Sequence, residues 1–215
     1  MDRQRDAERT RQRILDAALA EFADKGYAGA RVRSIASRAG VNSQLISYYF
    51  GGKEGLYQEI LRRWHRREAD IEEQDLSLGD TVVAYLEAGF EQPELTRMFI
   101  WDGLTGTPSL DDEVVPDGEA PEIVALRERQ AVGEIADDID PAYLLVALMG
   151  AVTTPVTMPK IIERLCGVPA DSDEFKTRFA EQLRVIARHL GRPTSSGRAP
   201  GTSGSARRTG RQPRS

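Results

Sequence analysis

Residues 36–57 read ASRAGVNSQLISYYFGGKEGLY, and this stretch constrains the fold more than any other. Two helices that cross closely need a small residue at the crossing, a glycine in the tight turn and an aliphatic anchor on the second helix. Ala36, Gly40 and Ile46 stand at those places, with Ile35 and Val41 closing the same apolar core. Asn42 is placed to cap the second helix. The pattern predicts a helix at 32–39, a turn, and a short helix at 43–49. The same spacing also occurs in ordinary helical hairpins, and the flanks separate the two readings. The second helix is short and ends in YYF. Gly51 and Gly52 then turn the chain sharply, and Lys53 opens the next helix. Helix-terminal N–H groups beside a lysine suit a phosphate, and tyrosine hydroxyls donate to phosphate oxygens while their rings pack. On this reading the helix at 43–49 enters the major groove of DNA. Tyr49 and Lys53 hold the backbone, Tyr48 meets phosphate or base, and Phe50 packs inward.

The remainder is helical in period. Ile14, Leu15, Ala18, Leu19 and Phe22 share one face of a first helix, with Gly26 at its expected end. A helix from 53 to about 72 carries Leu56, Ile60, Leu61 and Trp64 on one side. Further helices are expected at 80–91, 93–103, 119–137, 141–165 and 172–190. Asp140-Pro141 is a start signal, and Pro155 and Pro159 are expected to kink or interrupt the helix that follows. Residues 105–118 read as a mobile loop. Residues 191–215 are rich in Gly, Ser, Pro and Arg with almost nothing to bury, so disorder is expected. No useful β-alternation occurs, and the predicted fold is all-α.

Charge is divided unevenly. Residues 1–67 hold 14 Lys and Arg against 8 Asp and Glu; residues 68–190 hold 9 against 26; residues 191–215 hold 6 Arg and no acid. A basic module on an acidic body suggests a polyanionic partner for the module, although charge runs are commonly just solvated faces. The composition turns acidic after Ile71, so a boundary is expected within 65–75. The division adopted is 1–67, 68–190 and 191–215. The longest apolar run is too short to span a bilayer. The charged start has no apolar signal region, and Cys166 as a single cysteine excludes an internal disulfide. A cytoplasmic location is expected.

The block RILDAALAEFADKGYAGARVRSIASRAGVNSQLISYYFGGKEGLYQEIL resembles the N-terminal domain of TetR-type transcriptional regulators. The likeness covers about residues 10–62. It joins a first helix ending in F…KGY, then VRxIAxRAGV, then YFGxKExL. It implies an N-terminal three-helix helix-turn-helix domain and a larger C-terminal helical domain that binds a ligand and dimerises. By position, Arg33 matches an arginine that often touches DNA, and Asn42, Ser43, Gln44 and Ser47 fall where the recognition helix meets the groove. Tyr49 and Lys53 match usual phosphate contacts. The chain also departs from the pattern. Arg31 stands where Ser or Thr ordinarily caps the next helix, which removes a cap and adds a possible phosphate contact. Ser47 replaces a common tyrosine, and NSQL replaces SKGT, so no operator sequence carries over. Gln44 is able to read adenine bidentately, and Asn42 likewise if it is not spent on capping.

The resemblance further implies that the helices at 141–165 and 172–190 pair with those of a second chain. YLLVALMGAV is apolar nearly all round, and Phe175, Phe179, Leu183 and Ile186 form a stripe; part of both must serve the internal core. Reading two half-sites with one short helix each requires a dimer. Phe90, Met98, Phe99, Trp101, Met149 and Thr153 are the candidates for lining an effector pocket between the middle helices, and plain core packing is the competing reading for each.

The leading function is a ligand-responsive homodimeric repressor of a palindromic operator on double-stranded DNA, with an unidentified small-molecule effector. An activator, or a regulator without an inducer, is the alternative within the family. An enzyme is not expected: His65 and His189 stand far apart in helical contexts, Cys166 has no base nearby in sequence, and no cofactor or metal motif is present. A non-DNA interaction protein using the basic tail is a remote alternative.

Overall fold

Ile14, Leu15, Ala18 and Phe22 do form one buried face, on a helix longer than expected, α1 (Asp2–Gly29). The computed structural model describes residues 2–106 and 119–191. Most of the loop expected at 105–118 and of the tail expected at 191–215 lies outside the described residues. The remaining helices are α2 (Val32–Ala39), α3 (Ser43–Phe50), α4 (Lys53–Glu72), α5 (Leu78–Glu91), α6 (Pro93–Thr105), α7 (Pro121–Ala131), α8 (Pro141–Thr157), α9 (Pro159–Cys166) and α10 (Asp173–Leu190). Among the described residues there is no strand. No single described helix is long and apolar enough to cross a membrane.

The first core joins α1 to Ile35, Ala36 and Ala39 of α2, Ile46 of α3, and Leu56, Ile60 and Leu61 of α4. Each large side chain so buried contributes about 1.5–3 kcal/mol. Leu95 and Met98 of α6 belong to the same core, so the helix-turn-helix module rests on a strut from beyond the boundary expected at 65–75. The second core gathers Leu78, Val82, Val83 and Leu86 of α5, Leu126 of α7, Leu144 of α8 and Leu183 of α10 around Ile135. A smaller cluster of Ile162 and Phe175, with Phe90 and Phe179 against it, closes the end near α9.

One expectation is met and two change. The helix expected at 141–165, with a kink or interruption at its prolines, is two helices bent by 94° at Met158. Pro159 has no N–H to continue the ladder, and Met158 before it leaves the helical conformation (φ −129°, ψ 48°). Pro155 stays inside α8. The helix expected at 119–137 stops at Ala131, because Gly133 turns left-handed (φ 83°) and Glu134 folds back to bond Arg129 (2.7 Å) and the Leu78 N–H. At Gly26 the backbone does enter positive φ (65°), but helix resumes to Gly29. A Cβ on Gly26 would touch the Trp101 ring at 3.4 Å.

Candidate nucleic-acid interface

The turn between α2 and α3 is built as the spacing demands. Gly40 is left-handed (φ 64°, ψ 39°), and the Val41 N–H bonds the Ala36 carbonyl at 3.0 Å. A Cβ on Gly40 would also stand 2.9 Å from an Arg13 nitrogen. The Arg13 guanidinium donates to the Ala39 carbonyl and so closes the end of α2. Asn42 Oδ1 accepts the Gln44 N–H at 2.9 Å, which starts α3. Ile46 is wholly buried and fixes the rotation of α3.

That rotation turns Gln44, Ser47 and Tyr48 outward together, at spacing i, i+3, i+4. Tyr48 is 80% exposed. Tyr49 and Phe50 are half-buried against the first core, and the Arg11 guanidinium lies over the Phe50 ring at 5.2 Å. Arg31 and Arg33, at the start of α2, are exposed, while Ser43 is half-buried. Arg31, Arg33, Gln44, Ser47 and Tyr48 are thus all open to solvent.

Two of the expected contacts have partners inside the chain. The oxygen of Asn42 is occupied by its cap, so a bidentate adenine contact would have to break that bond. The Lys53 ammonium donates to the carbonyls of Tyr27 (2.8 Å) and Ala30 (3.3 Å) and sits 4.4 Å over the Tyr27 ring. Lys53 thereby ties the start of α4 to the end of α1, with one N–H left for an outside acceptor.

Sequence reading missed Gly55 and Glu21. A Cβ on Gly55 would fall 1.6 Å from the Phe50 carbonyl oxygen, so only glycine lets α4 pass beneath α3. Glu21 is 1% exposed yet charged, with Lys25 Nζ at 2.6 Å and Arg38 at 3.9 Å. Burial is the largest influence and opposes its ionisation. Lys25, the Arg31 backbone N–H and the Ser34 hydroxyl together outweigh it and hold the carboxyl below the usual range. The signal in the sequence was its register, three residues after Ala18 on the buried face of α1.

The module is joined to the rest through adjacent residues of α6. Trp101 Nε1 donates to the Ala23 carbonyl at 3.1 Å. The Tyr57 hydroxyl donates to the carboxylate of Asp102, and both residues are buried. Glu59 of α4 is ringed by Arg62 (3.0 Å), Arg63 (3.3 Å), Arg11 and Arg66 (both 3.8 Å), which ties α4 to α1. The six expected effector-lining residues stand in different surroundings. Met98 and Phe99 pack in the first core and Trp101 on α1. Phe90 packs on Phe175. Met149 is exposed, and the Thr153 hydroxyl donates to its carbonyl. A cavity of about 230 Å³ does lie where α1 and α4 meet α5 and α6, floored by Leu15, Leu19, Ile60 and Leu95 beside Trp64. None of the six lines it.

Two family models match this chain. Bacterial regulatory proteins of the tetR family match over residues 14–60, and the tetracyclin repressor-like C-terminal domain over residues 77–188. The HTH-type transcriptional repressor SCO4008 of Streptomyces coelicolor is 34% identical over 191 residues, covering 86% of this chain and 97% of that protein. The HTH-type transcriptional regulator RutR of Escherichia coli K12 is 28% identical over 187 residues, covering 80% and 86%. Among solved structures, the SCO4942 protein of Streptomyces coelicolor superposes with a TM-score of 0.66 at 26% identity, covering 85% of this chain and 98% of that one.

Proposed function

The chain belongs to the tetR family of bacterial regulatory proteins and is a DNA-binding transcriptional regulator, not an enzyme, and from that premise we propose that it is a ligand-responsive homodimeric repressor of a palindromic operator. Residues 1–67 carry the DNA contacts; residues 68–190 carry the effector and the dimer. Gln44 and Ser47 face base edges, and Tyr48 base or phosphate. Arg31, Arg33, Tyr49 and the remaining N–H of Lys53 serve the backbone, with Asn42 and Ser43 at the phosphate-facing start of α3. The observation that carries this reading is the outward polar face of α3, opposite a wholly buried Ile46.

The dimer is proposed through α8 and α10. Tyr143 (78% exposed), Val146 (67%) and Met149 (57%) form an open apolar strip on α8, and Ile186 on α10 is exposed as well. Burying such a strip against its copy is the ordinary way to remove it from water. Two recognition helices are then held at a fixed separation. An effector shifts that separation only by as much as it prefers one conformer over the other. Tyr57–Asp102 and Trp101–Ala23 are the contacts through which α6 passes such a shift to α4 and α1.

The test is sedimentation with and without mixed-sequence duplex DNA. A particle of two 23.8 kDa chains that binds the duplex with steep salt dependence is expected. A monomer at micromolar concentration, or binding indifferent to salt, would contradict the proposal.

A further inference from the structure

The first N–H groups of a helix need acceptors from outside the helix. α3, α5, α8 and α10 take them from the side chains of Asn42, Ser77, Asp140 and Ser172. α6, α7 and α9 begin with proline, which removes one N–H and presets φ. α4 has Glu54 in its first turn. Of the helices α2 to α10, α2 has none of these: its N-cap is Arg31, with no capping bond from that side chain and no acid in the first turn. A guanidinium is a donor only and cannot accept an N–H. Yet α2 must be held firmly, because Ile35, Ala36 and Ala39 anchor the whole reading head in the first core.

We propose that Glu21 caps α2 from the neighbouring helix and is a positioning residue for DNA binding, leaving Arg31 free to meet the DNA backbone. The inference rests on the reading of Arg31 as a backbone contact. Glu21 lies against the first turns of α2, sharing a surface recess with Arg33, Ser34, Ser37 and Arg38. Its carboxylate is acted on by the Arg31 backbone N–H and the Ser34 hydroxyl. An anion there also meets the positive end of the α2 dipole. Lys25 at 2.6 Å and Arg38 at 3.9 Å complete the charge balance that a buried carboxylate needs. The placement matters for a surface that binds a polyanion. The negative group is sunk beneath the face, while Arg31 and Arg33 stand exposed upon it. Position 31 thus contributes a cation rather than a neutral cap, and the cap is kept.

The test uses the full chain carrying Glu21→Ala, Glu21→Gln, Arg31→Thr and the two doubles with Arg31→Thr. Thermal melts are read without DNA, and affinity is read against a duplex enriched from a random library by the unmodified protein. Glu21→Ala should lower Tm by about 5 °C. Adding Arg31→Thr, which restores a capping hydroxyl, should recover at least half of that loss. Should Glu21→Ala not fold, Glu21→Gln should show a smaller loss that is rescued in the same way. Arg31→Thr alone should leave Tm unchanged or raised, while the slope of log affinity against log salt becomes shallower by about 0.9 for each phosphate that is no longer neutralised. Failure of Arg31→Thr to rescue either Glu21 variant would overturn the capping role. An unchanged salt slope would overturn the freed contact. Failure of the unmodified protein to enrich any duplex would sink the operator reading and the freed contact together, with the melts still deciding the cap.

Discussion

α3 and α8 each present an outward face, and the two faces are opposite in kind. On α3 the exposed positions are Gln44, Ser47 and Tyr48, set at helical spacing opposite the buried Ile46. On α8 they are Tyr143, Val146 and Met149, opposite the buried Leu144. A polar face on a module rich in exposed arginines is complete in water and gains by meeting a polyanion. An apolar face is incomplete in water and gains by meeting another apolar face. On the proposed reading, the same helical period serves two different partners, DNA on one helix and a second copy of the chain on the other.

The sharpest way to break this comparison is to give α8 the character of α3. Val146→Glu places a charge in the proposed dimer seam, where an unpaired buried carboxylate is strongly unfavourable. Light scattering should show monomers, and operator affinity should fall by about a hundredfold or more, since each half-site then acts alone. A dimer that survives Val146→Glu would move the seam elsewhere. Next in size is Gln44→Ala on α3. It should weaken binding to the enriched duplex by about tenfold, as expected for one bidentate base contact, with mass and Tm unchanged. Equal losses on random DNA would make Gln44 a backbone contact instead.

Asn42→Ala sharpens the contrast from the side of stability. Removing the bond to the Gln44 N–H should cost about 1 kcal/mol and lower Tm by a few degrees, with no change in assembly. The smallest effect concerns acid. Burial is the largest influence on Glu59 and opposes its charge, but hydrogen bonds from Arg62 and Arg63 and the charges of Arg62 and Arg11 prevail and lower its pKa. A depressed folded pKa stabilises above the unfolded carboxylate value, about 4.3, and that stability is lost as pH falls through the folded value. Tm should therefore drop below about pH 4, and less steeply in Glu59→Gln. An identical acid profile in Glu59→Gln would remove Glu59 from the account.

The helix-turn-helix was legible because its requirements are steric and local: Ala36, Gly40 and Ile46 leave few alternatives at their spacing. Asn42 was legible as a cap for the same reason. Gly55 was not, because its need comes from the Phe50 carbonyl of another helix, and nothing in KEGL signals a 1.6 Å approach. Lys53 shows the limit of reading side chains by type. Its charge suited phosphate, yet its nearest acceptors are the Tyr27 and Ala30 carbonyls, 26 and 23 residues earlier. The effector candidates were the least legible. Aromatic and Met residues at helical spacing look alike whether they line a pocket or a core, and Phe90, Met98 and Met149 stand in three different surroundings. The break at Met158 was half legible: two prolines were visible, but only Pro159 ends a helix, since Pro155 is accommodated within α8.

The central claim is that α3, doubled by a dimer, reads DNA. The most direct test is selection of binders from a random duplex library by the unmodified protein, repeated with Tyr49→Ala/Lys53→Ala and at two salt concentrations. The account expects a palindrome with half-sites about one helical turn apart, or a multiple of it, abolished in the double variant and weakened by salt. Salt-sensitive binding without sequence preference, or no enrichment at all, would contradict it.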